Sequence, residues 1–121
     1  MKILVTGSRD WVDVEAIERE IFRVLYETKT VYGEAVLIHG ACPTGADAMA
    51  ARYATTMGMH VLAFPAQWDR WGKSAGFIRN TEMVDLDPDV CLAFIRSKSR
   101  GASMTADLAE RASIETRRIL A

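Results

Sequence analysis

The chain has 121 residues, of which 50% are hydrophobic and 26% charged, and its formal net charge is −1. This length and composition are typical of one globular domain, so we predict a single domain over residues 1–121. The near-neutral charge and the lack of a block of basic residues make nucleic acid an unfavoured partner, because phosphate binding by charge needs clustered Lys and Arg.

Three features predict a cytoplasmic protein. The N-terminal stretch MKILVTGSRD turns polar early, and no run approaches the roughly 18 apolar residues that a membrane span needs. We therefore expect neither a signal peptide nor a membrane segment. The chain has only two cysteines, Cys42 and Cys91, whereas a secreted domain held by disulfides normally has more.

In chain order, short apolar runs alternate with helical patterns. KILVTGS predicts the first strand, and the apolar spacing from Val12 to about Lys29 predicts a helix with Asp13 as its N-cap. AVLIHG predicts the second strand. The apolar residues between Ala46 and Met57 predict the second helix, which should end at Gly58.

The second half of the chain repeats this alternation. HVLAFPA predicts the third strand, and a linker rich in Trp and Gly follows it. A third helix is predicted from near Ser74 to about Val84, DVCLAFI is the fourth strand, and a fourth helix starts near Gly101. The tail IETRRIL is a candidate fifth strand. Such alternation predicts an α/β fold, a Rossmann-like three-layer α/β/α arrangement with a mainly parallel sheet of 4–5 strands.

Ligands of such folds bind beyond the carboxyl ends of the strands, near the switch in strand order. The loops expected there are TGSRDW, HGACPTGAD, FPAQWDRWGKSAGFIRN and RSKSRGAS. All are rich in Gly, Ser or Arg. Glycine lets a ligand approach the backbone closely, and helix N-termini bind anions, so this edge is the expected ligand site.

The second loop admits several interpretations. Its glycines suit a phosphate-binding loop. Alternatively, they serve only the turn from strand to helix, and Asp47 only interacts favourably with the helix dipole. A metal at His39 and Cys42 is disfavoured because His60, the only other histidine, lies at the opposite edge and structural zinc takes four ligands. The same lack of a second histidine disfavours Cys42 as a nucleophile. We expect no metal.

Elsewhere at this edge, the candidates are an arginine, three tryptophans and one helix face. Arg9 is either a phosphate ligand or a surface residue. The three tryptophans either stack on a base, line an interface or serve only in packing within the fold. They are Trp11, Trp68 and Trp71. On the third helix, Arg79 and Met83 share a face and Gly76 precedes them by one turn. Asn80 is placed to connect two loops, and Glu82 is a candidate base or a solvated residue.

Neither G-x-G-x-x-G nor G-x-x-x-x-G-K-[ST] occurs in the chain. The usual NAD enzymes and P-loop kinases are therefore disfavoured, and we expect no cofactor.

The motifs GSRDW, HGACPTGAD, FPAQWDRWGKSAGFIRN with Met83, and SRGA resemble the YspA-like family of the SLOG superfamily, which also holds the DprA/Smf and LOG proteins. The resemblance covers roughly residues 2–112. It implies a Rossmann-like sheet that binds or senses a nucleotide or nucleotide-derived ligand at the carboxyl edge. The residues that it implies in ligand binding are Gly7, Ser8, Arg9, His39, Gly40, Gly45, Ala46, Asp47, Arg79, Asn80, Met83, Ser99, Gly101 and Ala102.

The LOG relatives suggest an alternative function, a phosphoribohydrolase that releases the free base from a nucleoside monophosphate. They use an Arg, to which Arg79 is comparable, and the Glu of a P-G-G-x-G-T-x-x-E motif. In this chain Thr105 stands at the position of that Glu, and Asp107 points elsewhere on the helix. A hydrolase would therefore need Glu82 or Asp47 as its carboxylate, beside Arg79. The C-terminal sequence also differs from that of the relatives, which usually end with a G-I-P-V strand.

Three tryptophans are many for a small domain, and burying them between subunits would cover them, so we predict a homo-oligomer. Small size and the resemblance also fit a phage or mobile-element protein. A DNA-binding module, by analogy with DprA, is disfavoured by the charge.

Overall fold

The computed structural model describes residues 1–97 and 99–121, and its centre is a five-stranded parallel sheet. Lys98 of the predicted fourth loop lies outside the described residues. The strands are β1 (Lys2–Gly7), β2 (Val36–His39), β3 (His60–Ala63), β4 (Val90–Ile95) and β5 (Glu115–Leu120). The helices are α1 (Val14–Thr28), α2 (Gly45–Met57), α3 (Trp68–Trp71), α4 (Ala75–Asp85) and α5 (Arg100–Arg111). The predicted Rossmann-like α/β fold is confirmed, and the tail forms β5.

The two faces of the sheet are covered by different helices. Ile3 and Val5 of β1 belong to the core that includes α1 and α2, whereas Leu4 between them belongs to the core that includes α4 and α5. This split follows from the period of two along a strand. Strands buried on both faces must be apolar throughout, and all six residues of β4 are buried.

The predicted helix ends are found where the sequence places them. The Asp13 carboxylate accepts a hydrogen bond from the backbone amide of Ala16 at 3.1 Å, so it caps α1. Gly58 follows α2 with a φ of 83°, a left-handed conformation that glycine adopts without strain.

One segment differs from the sequence predictions, and one tryptophan is resolved among its alternatives. The linker after β3 contains a short helix, α3, where no helix was expected. Trp11 lies in the loop after β1 as expected, and of its three alternatives it takes the packing role: it is 3% exposed and packs edge-on against Phe94 with the ring centroids 5.4 Å apart. Its indole N–H donates to the Asp13 carbonyl at 2.9 Å, so this tryptophan belongs to the core and offers no free ring face.

The strand order β3-β2-β1-β4-β5 creates a crevice at the carboxyl edge. The chain leaves β1 towards β2 and β3, and later returns on the other side of β1 with β4. The loops that follow β1 and β4 therefore diverge to opposite faces, and a ligand site is expected between them. Within the described residues, no helix is long and apolar enough to cross a bilayer.

Candidate functional site

An open cleft of about 870 Å³ lies at the carboxyl ends of the strands. Loops that follow β1, β2, β3 and β4 all contribute to its walls, as the parallel topology requires. Most of the residues predicted to bind a ligand line this cleft, namely Gly7, Ser8, Arg9, Gly40, Asp47, Arg79, Asn80, Met83, Ser99, Gly101 and Ala102.

Three predicted ligand-binding residues lie behind the cleft wall. His39 is 6% exposed, and its Nδ1 accepts a hydrogen bond from the Ala41 amide at 3.0 Å. Gly45 has a φ of 72°, and a Cβ placed on it would lie 2.2 Å from the Ser8 carbonyl oxygen. Ala46 is buried, and its amide donates to that same oxygen at 3.3 Å. Gly45 and Ala46 thus build the junction with the first loop, His39 bonds within its own loop, and none of the three lines the cleft.

That junction changes the expected role of α2. We expected free amides at its N-terminus to bind an anion, but the Ala46 amide already donates a hydrogen bond to the Ser8 carbonyl of the first loop. The start of α5 is different, because Gly101 and Ala102 line the cleft there. The first amides of a helix have no partner within the helix, so this end offers donors to an anion.

Arg79 connects the loops that follow β2 and β3. Its Nη1 donates to the Gly40 carbonyl at 2.5 Å and to the Phe64 carbonyl at 3.4 Å, and its Nε donates to Asn80 Oδ1 at 2.7 Å. Among the described residues no hydrogen bond reaches Nη2. Burial lowers the pKa of Arg79 from its ordinary value, although the nearby Asp47 carboxylate opposes that shift. The guanidinium therefore holds the loops and still presents a donor group to the cleft.

Asp47 is 7% exposed and lies at the floor of the cleft. Its Oδ2 accepts hydrogen bonds from the amides of Gly40 at 3.1 Å and Cys42 at 3.3 Å. Burial raises the pKa of Asp47 to about 6, although these two amides and the positive charges of Arg79 and Arg9 lower it. Asp47 thus orders the second loop and is the buried carboxylate of the site.

Arg96, which the sequence analysis did not select, also lines the cleft. Ser8 fixes its backbone, because Ser8 Oγ accepts from the Arg96 amide at 2.8 Å and donates to the Arg96 carbonyl at 3.2 Å. The Arg96 guanidinium donates to the Asp10 carbonyl at 3.0 Å. Its position directly after β4 was the available signal, since Arg9 was selected for the same position after β1.

The positions considered for a catalytic carboxylate differ in whether they place a carboxylate at the cleft. Thr105 lines the cleft, is 1% exposed, and donates to the Gly101 carbonyl at 3.2 Å, so no carboxylate stands there. Glu82, a candidate base, is exposed on α4 and does not line the cleft. The carboxylates that do line it are Asp10 and Asp47.

The chemistry of the cleft favours an anion over a metal ion. Three arginines line it against two carboxylates: Arg9, Arg79 and Arg96 against Asp10 and Asp47. No group of three or more His, Cys, Asp or Glu side chains is arranged to hold a metal ion within residues 1–97 and 99–121.

An all-parallel sheet with helices on both faces and a polar cleft at the switch in strand order defines a Rossmann-like α/β protein. The family model described as the YspA, cpYpsA-related SLOG family matches residues 1–71. The Gene 61 protein of Mycobacterium phage D29 is 37% identical over 118 residues, which cover 93% of this chain and 91% of that protein. The chain belongs to the YspA/cpYpsA-related SLOG family, and this membership points to a function related to nucleotides. No solved structure gives a significant match.

Proposed function

We propose that this protein binds a nucleotide or nucleotide-derived ligand in the cleft at the carboxyl edge of the sheet, and that it acts as a sensor of that ligand. The observation that carries the proposal is the convergence of three arginines on one cleft: Arg9, Arg79 and Arg96. Guanidinium groups bind phosphate through paired hydrogen bonds.

The chain as a whole is almost neutral, whereas three arginines and two carboxylates line the cleft. The α5 N-terminus adds backbone donors on the side of Gly101 and Ala102. A small anionic ligand therefore fits the site better than a long nucleic acid, which would need basic residues spread over a wider surface.

Isothermal titration calorimetry with a panel of nucleoside monophosphates, ADP-ribose, NAD and ribose 5-phosphate tests the proposal. Arg9→Gln is the informative variant, because Arg9 is exposed, lines the cleft and has no side-chain hydrogen bond among the described residues. We expect it to weaken binding about tenfold, as the loss of a charge-assisted contact does. Arg52→Gln on α2 removes the same charge outside the cleft and is the matched control. Binding by no member of the panel, or equal loss in both variants, would contradict the proposal.

A phosphoribohydrolase is the second candidate, and the raised pKa of Asp47, about 6, supports it. A carboxyl group with a pKa near the working pH is suited to general acid–base catalysis. Glu82 does not face the cleft, so Asp47 is the carboxylate that we propose for this reaction, with Arg79 on the phosphate. Chromatography of a nucleoside monophosphate incubated with the protein would reveal the free base. Activity that persists in Asp47→Asn would remove Asp47 from the reaction.

Three further expectations concern the biological setting. We propose that the protein is cytoplasmic, forms a homo-oligomer and comes from a phage or mobile element. The phage relative supports the last point. Light scattering after gel filtration tests the second, and a monomer at high concentration would contradict it.

A further inference from the structure

We infer that Trp68 is the base-stacking wall of the cleft, so that the ligand is a complete nucleotide with a planar base and not a sugar phosphate. The inference rests on the proposed function and narrows the ligand class. Trp68 is the first residue of α3, is 53% exposed, and lines the cleft together with Pro65 and Ala66. An indole of this exposure at the wall of a ligand cleft leaves a large apolar ring in water, and stacking with a base would cover it.

The indole lies beside the neighbouring helix α4. Cη2 of Trp68 lies 3.5 Å from the point where a Cβ on Gly76 would stand. Gly76 belongs to the first turn of α4, so the ring lies against a part of that helix that has no side chain. The backbone of α3 is ordered in turn, because the amides of Arg70 and Trp71 both donate to the Gln67 carbonyl, at 3.0 and 2.9 Å.

This placement puts the indole one helical turn from the phosphate-binding arginine. Gly76 and Arg79 are three residues apart on α4, so they lie on the same face. Their separation along the helix axis is about 4.5 Å. A nucleoside monophosphate can therefore stack its base on Trp68 while its phosphate reaches Arg79. A single ligand would then contact both side chains.

The other tryptophans do not have these properties. Trp11 is buried and its N–H is bound. Trp71 is 42% exposed on the same short helix, but it does not line the cleft, and the Arg70 guanidinium lies 4.7 Å from its ring centroid. Trp71 is therefore a matched control for the loss of an exposed indole from α3.

Calorimetric titrations of AMP, GMP, CMP, UMP and ribose 5-phosphate into wild type, Trp68→Leu, Trp68→Phe and Trp71→Leu test the inference. We expect Trp68→Leu to weaken nucleotide binding roughly tenfold or more, the usual effect of losing one base–aromatic stack. Trp68→Phe keeps an aromatic ring and should stay within about threefold of wild type. Trp71→Leu should be unchanged, and ribose 5-phosphate should bind more weakly than the nucleotides and equally to all four proteins.

Tryptophan fluorescence provides a second measurement, which does not depend on affinity alone. In Trp71→Phe protein the remaining tryptophans are Trp11 in the core and Trp68 at the cleft, so a bound base should quench the indole emission of Trp68. Adding Trp68→Phe should abolish the quenching.

Distinct outcomes separate this inference from the proposed function. Equal nucleotide binding by wild type and Trp68→Leu, or binding of ribose 5-phosphate as tight as that of the nucleotides, overturns base stacking alone, provided that Arg9→Gln still weakens binding. A change of oligomeric state in Trp68→Leu without a change of affinity also overturns it, because Trp68 would then belong to an interface. Absence of binding by every probe overturns both proposals.

Discussion

Arg79 and Asp47 bind the two backbone polar groups of Gly40. The Arg79 guanidinium donates to the Gly40 carbonyl at 2.5 Å, and the Asp47 carboxylate accepts from the Gly40 amide at 3.1 Å. A Cβ on Gly40 would lie 2.7 Å from Arg79 Nη1 and 3.1 Å from Asp47 Oδ2, so only glycine leaves both side chains in place. The charged groups of the cleft and the conformation of its second loop are therefore interdependent.

The raised pKa of Asp47 predicts a pH dependence of stability. An aspartate free in water has a pKa of 3.8, whereas the pKa of Asp47 in the folded protein is about 6, so between these values the folded state binds more protons than the unfolded state. The free energy of unfolding contributed by Asp47 therefore falls as pH rises through this window, by up to about 3 kcal/mol. Asp47→Asn removes this dependence. Urea denaturation at pH 4, 5, 6 and 7 should show the variant gaining stability relative to wild type as pH rises. A constant difference between the two proteins would contradict the assignment.

His39 should be the Nε2–H tautomer, with Nδ1 as an acceptor. Burial lowers its pKa from 6.5, and Nδ1 accepts from the Ala41 amide. Below pH 6.5 the unfolded chain therefore binds more protons at this residue, and the stability that His39 contributes is lost as pH falls through this region. Imidazole nitrogen NMR shifts of His60→Gln protein, in which His39 is the remaining histidine, report the tautomer. A protonated Nδ1 at pH 7 would be inconsistent with the hydrogen bond to Ala41.

Gly45→Ala should destabilise the protein by at least about 2 kcal/mol. Its φ of 72° is unfavourable for alanine, and the new Cβ would lie 2.2 Å from the Ser8 carbonyl oxygen. Gly101→Ala is the control, because a Cβ there meets no atom of the described residues within 4 Å and alanine favours the α5 helix. Denaturant unfolding should give a change of less than about 1 kcal/mol for this control. Equal stability of both variants would mean that α2 does not approach the first loop as described.

Ser8→Ala should cost about 1–3 kcal/mol, because it leaves the amide and carbonyl of Arg96 without their hydroxyl partner. Since Arg96 lines the cleft, the variant should also weaken nucleotide binding. Ser103→Ala is the control: Ser103 is half-buried on α5 and its hydroxyl makes no hydrogen bond among the described residues. It should change stability by less than about 0.5 kcal/mol. If both variants lose the same stability, Ser8 does not fix the fourth loop.

The sequence alone predicted the strands, the four longer helices and the class of fold, but not the short helix α3. Helical spacing, the Asp13 cap and Gly58 depend on contacts within a few residues of chain, so they can be read directly from the sequence. The continuously apolar strands predicted a sheet covered on both faces, and this fold implied that the loops after the strands meet at one edge. That reasoning correctly brought Arg9, Gly40 and Arg79 to one cleft.

Only the tertiary structure decided which side chains face the cleft. His39, Gly45 and Ala46 belong to the expected motif but do not line the cleft. Gly45 and Ala46 contact the first loop at Ser8, and the His39 imidazole accepts from the Ala41 amide. The three tryptophans occupy similar sequence contexts, but one is in the core, one is at the cleft and one is outside it. Orientation and burial depend on contacts between residues far apart in the chain, and the pKa of Asp47 depends on the same burial. Local pattern therefore determined the framework, whereas long-range packing determined the chemistry of the cleft.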